Sequence, residues 1–248
     1  MRELIYGRQP VHEAIRAGRR QVFKLLLARE VKPSGIVSQI LALAASQKPA
    51  VPVQQVDRQA LGQLGGEVHH QGLAAEVSGY PYVDLALLLA IARQAAEPPF
   101  LLFLDHMQDP QNLGSLLRTA EAVGVHGVVI PERRAAGVTP AAVRASAGAA
   151  EHLRVAQVPN LVRAMETAKA NGIWLAGLEA LPKAQFYTQA DLTMPVGLVV
   201  GSEGEGLARL VRETCDWLIR LPMRGQVGSL NAAVAGAIAM YDVRRQRG

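Results

Sequence analysis

The chain has 248 residues, 50% hydrophobic and 19% charged, with a net charge of +5 at pH 7 and a single cysteine, Cys215. That apolar content supports a buried core and excludes a disordered polyelectrolyte. One cysteine excludes an intrachain disulfide and, with no C-x-x-C or H-x-x-x-H cluster, points to a reducing cytoplasm and a site without metal. Aromatic residues, at 4%, are too few for a base-stacking platform.

The opening stretch, "MRELIYGRQPVHEAI", has no apolar signal-peptide core, and the expectation is a cytoplasmic chain. Residues 1–32 hold eight Lys/Arg against Glu3, Glu13 and Glu30, an uneven distribution that suits a polyanionic partner. "VFKLLLA" (22–28) reads as a buried strand, and "SGIVSQILALAASQ" (34–47) as a helix with Ser34 as N-cap. "VPVQQVD" (51–57) reads as a strand, "RQALGQL" as a short helix and "LAAEVSG" (73–79) as a further strand, closing a small α/β unit over residues 1–79. A proline-punctuated linker with its own helix follows over 80–97; its apolar run "LALLLAIA" (85–92) is too short to cross a bilayer.

A second block fills 98–248. "FLLFLD" (100–105) is the continuous apolar run of a parallel strand buried on both faces. "NLGSLLRTAEAVG" (112–124) follows as a helix ending at Gly124. The alternation continues through "GVVIPE", the helix "PAAVRASAGAAEHL", "RVAQV", "NLVRAMETAKANG" and "IWLAGLEA". It closes with "PVGLVVG", "GLARLVRETC", "WLIRLPM" and a long helix after "SLN". The pattern predicts an α/β fold with a mostly parallel sheet covered on both faces.

Ligands of such sheets bind beyond the carboxyl ends of the strands. Three of those ends carry polar strand-to-helix sequences: "DHMQDPQNLGSLLRTAEA" (105–122), "GSEGEGL" (201–207) and "LPMRGQVGSLNAAVAG" (221–236). "GSEGEG" is neither the G-x-G-x-x-G dinucleotide fingerprint nor a P-loop, and Glu203 and Glu205 would repel a triphosphate. Ser202 lacks a nucleophile-elbow context, and His69, His70, His106 and His152 have no carboxylate pattern that marks a triad, so these histidines read as structural or surface groups. Cys215 reads as a small buried hydrophobe. "PERRAAG" (131–137), Arg144 and Arg154 form a basic stretch suited to phosphates or to a solvated face.

Together the three segments resemble the motifs of the SpoU-type RNA ribose 2'-O-methyltransferases of the SPOUT superfamily, in order and over residues 97–248. "YGRQPVHEAIRAG" and "HHQGLAAEV" resemble the ribosomal-protein-like RNA-binding domain that precedes the catalytic domain in the bacterial branch acting on a guanosine of 23S ribosomal RNA. The resemblance implies a C-terminal trefoil knot whose loops form the cofactor pocket, beside a small N-terminal α/β RNA-binding domain. It implies S-adenosylmethionine as methyl donor, a cation near which carboxylates are tolerable, and a homodimer.

The resemblance also supplies site residues. Gly201, Leu221, Met223, Gly225, Ser229 and Leu230 are expected around the cofactor, and Asn112, Arg118, Glu203, Ser229 and Asn231 at the catalytic centre. Asn112 and Arg118 are six apart, about 120° from sharing a helix face, so both serve one site only if Asn112 sits at or before the helix start. Arginine stays protonated, so Arg118 suits a cation beside the reacting oxygen or a phosphate clamp better than a general base. Two rivals stand beside the 23S reading: methylation of transfer RNA or another ribosomal nucleotide, and a non-catalytic ribosome-assembly protein.

Overall fold

The structure, a computed structural model, describes residues 2–65 and 70–248. His69 lies outside the described residues. The chain divides into two compact units, Met1–Pro81 with Val138–His152, and Tyr82–Gly137 with Leu153–Gly248. Residues 138–152, inside the 98–248 range, thus group with the first unit.

The first unit is built on β1 (Arg2–Tyr6), β2 (Val22–Ala28), β3 (Val53–Val56) and β4 (Leu73–Ser78), in the order β1-β4-β2-β3. β4 pairs antiparallel with β1 and β2, while β2 and β3 are parallel. Helices α1 (Arg8–Ala17), α2 (Ile36–Ser46) and α3 (Arg58–Gly65) complete residues 2–65. α1 buries Val11, Ala14 and Ile15 on one face. Gly35, with φ +54°, occupies the N-cap of α2 in place of Ser34: the chain enters at an angle only glycine takes easily.

The returning segment adds to this unit a six-residue helix at Pro140–Ala145 followed by a 3₁₀ turn at Ala149–His152. In chain order it is α6, after α4 (Leu85–Gln94) and α5 (Pro110–Ala122) of the second unit. The single helix expected over "PAAVRASAGAAEHL" breaks because Ala147 and Gly148 take φ +52° and +89°. Arg20, whose side chain is 0% exposed, holds the segment by donating to Glu151 at 3.0 Å and to Glu3 at 2.8 Å. Burial pushes the Glu151 carboxyl up, against the opposing charges of Arg20 and Arg19. Arg20 is therefore no part of a solvent-facing basic footprint, and Arg2 and Lys24 both pair with Glu76.

The second unit holds β5 (Phe100–Leu104), β6 (Gly127–Pro131), β7 (Val155–Val158), β8 (Trp174–Leu178), β9 (Gln185–Phe186), β10 (Val196–Val200) and β11 (Trp217–Arg220). They form one sheet in the order β7-β6-β5-β10-β8-β11-β9, every pairing parallel. β5, β6 and β10 are buried at every position, as continuous apolar runs require when helices cover both faces. Leu88, Leu89 and Ala92 of α4 join Phe103, Val129 and Leu175 in its core. The remaining helices are α7 (Leu161–Ala170), α8 (Arg209–Thr214) and α9 (Ala232–Arg247). Because all seven strands run the same way, the three polar segments after β5, β10 and β11 emerge on one edge.

Candidate active site

The loop after β10 is shaped by two glycines and two carboxylates. A β-carbon on Gly201 would lie 2.3 Å from the Gly206 backbone, and Gly206 itself takes φ +68°. The loop therefore folds back on itself, with the Gly206 amide donating to the Ser202 carbonyl at 3.2 Å. Its far end is held by Glu179, just past β8, which accepts from the Leu207 amide at 3.0 Å, and by Asp105, just past β5, which accepts from the Ala208 amide at 2.7 Å. Asp105 is 1% exposed. Sequence reasoning missed both acids; the available signal was an acidic residue at the end of each apolar run.

Three polar side chains from three separate segments meet beside this loop. Asn231 Nδ2 donates to Asn112 Oδ1 at 2.9 Å and also to Glu203 Oε1. The same asparagine caps α9, its Oδ1 accepting from the amides of Ala233 at 3.0 Å and Val234 at 3.1 Å. The two halves of one amide thus set both the helix start and the polar cluster. Asn112 is not a cap: Asp109 caps α5, accepting from the amides of Gln111 and Asn112, and Pro110 occupies the first helical position. Asn112 consequently lies inside the first turn. Arg118 follows about 9 Å further along the helix and about 120° around it. It is exposed and makes no hydrogen bond among the described residues.

Next to the cluster opens a cleft between the ends of β8, β10 and β11. Gly201, Glu203, Leu221, Met223, Ser229 and Leu230 all line it, with Glu179, Gly206, Gly228 and Ala235 added by the structure. Gly225 lies on the same loop outside this lining, with nothing within 4 Å of where a β-carbon would stand. Glu203 alone belongs both to the lining and to the Asn112–Asn231 cluster. Three carboxylates, Glu179, Glu203 and Glu205, face the cleft against one guanidinium, Arg220. The balance favours a ligand bearing positive charge.

Other chemistry fares poorly. Burial first, and the charge of Asp216 second, push the Cys215 thiol up to about 12, so it is no nucleophile. No group of three or more His, Cys, Asp or Glu is placed to hold a metal among the described residues. Likewise, among these residues no helix is long and apolar enough to cross a membrane.

Comparison with known proteins gives the chain's family. Residues 99–241 match the model of the SpoU rRNA Methylase family, and residues 4–83 match that of the RNA 2'-O ribose methyltransferase substrate binding domain. YacO of Bacillus subtilis, provisionally named a TrmH family tRNA/rRNA methyltransferase, is 45% identical over 246 residues, 99% of this chain and 96% of YacO. The SpoU methyltransferase AviRb from Streptomyces viridochromogenes, solved in complex with the cofactor AdoMet, is 28% identical with a TM-score of 0.80, covering 99% of this chain and 90% of AviRb. The A. aeolicus TrmH/SpoU tRNA modifying enzyme is 27% identical with a TM-score of 0.57, covering 66% of this chain and 82% of that enzyme. With one family model spanning more than half of its length and a full-length relative at that identity, the chain belongs to the SpoU rRNA methylase family of RNA methyltransferases.

Proposed function

We propose that the protein transfers a methyl group from S-adenosylmethionine to the ribose 2'-hydroxyl of a guanosine in 23S ribosomal RNA. One observation carries the catalytic part: a single amide, that of Asn231, ties Asn112 to Glu203 at the edge of a cleft rich in carboxylates. The cleft suits this cofactor, which is cationic and carries no phosphate. We assign Gly201, Leu221, Met223, Ser229 and Leu230 to its nucleoside and sulfur, with Gly225 further along the same loop. When bound, S-adenosylmethionine supplies an electrophilic methyl group on a positively charged sulfur.

The chain's own residues do the rest. A ribose hydroxyl is a weak nucleophile near neutral pH, so the site must take its proton and steady the oxygen as it attacks the methyl carbon. Glu203, with one oxygen fixed by Asn231, has a second oxygen to accept that proton. Asn231 and Asn112 keep this carboxylate aimed, and Ser229, which lines the cleft, is assigned to hydrogen-bond the incoming sugar. The oxygen–methyl bond forms as the carbon–sulfur bond breaks, and a neutral thioether leaves. Arg118, exposed and away from the cluster within one chain, is assigned to a phosphate of the target RNA.

The ribosomal reading rests on the family's description and on the N-terminal match to a substrate-binding domain. The tRNA-modifying relative, by contrast, covers only 66% of the chain. We place the reaction in the cytoplasm and infer a homodimer. α9 exposes Val234, Ile238 and Tyr241, an i, i+4, i+7 stripe opposite the face that packs inward. Sedimentation as a single-chain species at micromolar concentration would remove the dimer.

The test of function is to incubate the protein with methyl-labelled S-adenosylmethionine and either unmodified 23S ribosomal RNA or transfer RNA, and to map the label. Label on a 23S guanosine ribose is the expected result. Label on transfer RNA, or on another ribosomal nucleotide, redirects the substrate. RNA binding with no label on either favours a scaffold role.

A further inference from the structure

We propose that Glu179 recognises the ribose of the cofactor, its carboxylate accepting hydrogen bonds from the vicinal 2'- and 3'-hydroxyls of S-adenosylmethionine. The inference rests on the cofactor reading above and adds a residue outside the three motifs. Glu179 stands just past β8, and the strand order puts β8 between β10 and β11. It therefore rises from the cleft floor between the two loops that form the walls.

Its side chain is 14% exposed. Oε2 is committed to the Leu207 amide at 3.0 Å, and the nearest cation, Arg212 Nε, is 4.0 Å from that same oxygen. Oε1 makes no hydrogen bond among the described residues and lies against Gly206, 2.6 Å from where a β-carbon would stand. An ionised carboxylate only accepts, so a largely buried one with an uncommitted oxygen calls for a donor.

Three parts of the cofactor donate: the adenine amino group, the α-ammonium and the ribose hydroxyls. The methyl-bearing sulfur must face Glu203, where the Asn112–Asn231 cluster lies. The ribose hangs from that sulfur by one methylene, and its ring, unlike the open methionine arm, fixes where the hydroxyls stand, next to the floor that carries Glu179. The ammonium sits on a flexible arm with Glu205 also available at the cleft. Two hydroxyls on adjacent carbons match one carboxylate oxygen and the edge of its partner.

Calorimetric binding with a double cycle tests this without reference to methyl transfer. The probes are 5'-methylthioadenosine, which has the diol but no ammonium, and its 3'-deoxy counterpart. Against the unaltered protein, losing the hydroxyl should weaken binding about 10- to 100-fold, as for a hydrogen bond to a charged group. Against Glu179→Ala, the same deletion should change binding less than about 2-fold, because the acceptor is gone. Glu179→Gln keeps an oxygen for the Leu207 amide, so it separates loop bracing from sugar recognition: it too should lose most of the hydroxyl effect. Equal hydroxyl effects in all three proteins would overturn the proposal and leave Glu179 as a brace for the loop. A loss on substitution seen with S-adenosylhomocysteine but not with 5'-methylthioadenosine would assign it to the ammonium instead. Failure of S-adenosylhomocysteine to bind the unaltered protein would be a different result, removing the cofactor reading itself.

Discussion

Asn231 serves two masters with one side chain. Its oxygen caps α9 and its nitrogen bridges Asn112 and Glu203. The roles separate by substitution. Asn231→Asp keeps the capping acceptors but loses the bridging donor and sets a second carboxylate against Glu203. Thermal unfolding should barely move while methyl transfer falls by about 100-fold or more, the scale of losing one preorganised polar contact. Asn231→Ala should lose both, including about 1 kcal/mol of helix stability. Equal activity in Asn231→Asp and the parent would remove this residue from the catalytic cluster. Asn112, Glu203 and Asn231 were legible in the sequence because each sits in a motif. Glu179 and Asp105 were marked only by their place at the end of an apolar run, since each gains its role when the loop after β10 brings a backbone amide to it.

At the scale of elements, the 201–207 loop depends on Gly206 for both its backbone angle and the space beside Glu179. Gly206→Ala adds a left-handed penalty of about 1–2 kcal/mol and pushes Glu179 from its place. S-adenosylhomocysteine binding should weaken together with stability; tight binding unchanged in the variant would show that the loop tolerates the shift. The loop after β6 makes a second case. Arg133 and Arg134 are exposed, Arg134 takes φ +57°, and the loop is tied to the segment before α5 by the Ala136 amide donating to the Met107 carbonyl at 2.7 Å. Replacing both arginines with alanine should weaken RNA binding and lower the slope of log affinity against log salt by about 1.5, two phosphate contacts' worth. An unchanged slope would make them a solvated face. Strands were the most readable elements, because burial on both faces leaves an unbroken apolar run. β1 and α1 escaped notice: "RELIY" is short, opens with two charged residues and lies on a sheet edge, and α1 carries Pro10 in its first turn, where proline costs no hydrogen bond.

Across the whole molecule, the alternation of strand and helix foretold a parallel sheet, but not the insertion of β10 between β5 and β8, which no local pattern encodes. Nor did it foretell the return of residues 138–152 to the first unit. That return is partly electrostatic. Glu13 meets His12 and His152 at 2.7 Å each. Burial raises its pKa, but hydrogen bonds from the two histidines and the charges of His12 and Arg16 outweigh this, leaving it below the ordinary 4.5. Since the folded value is depressed, the ionised carboxylate favours the fold above pH 4.5, and that contribution vanishes as pH falls through the lower folded value. Denaturant unfolding should therefore show the parent exceeding Glu13→Gln near neutrality and converging with it in acid. A gap independent of pH would assign the difference to packing alone.

The buried Arg20 has a practical corollary for anyone who would graft the first unit onto another enzyme. Cutting after Pro81 takes the sheet but leaves behind Glu151, so the excised fragment carries a desolvated guanidinium stripped of one of its two counterions. A transplant that works must bring the 138–152 strip along, stitched in as a second piece.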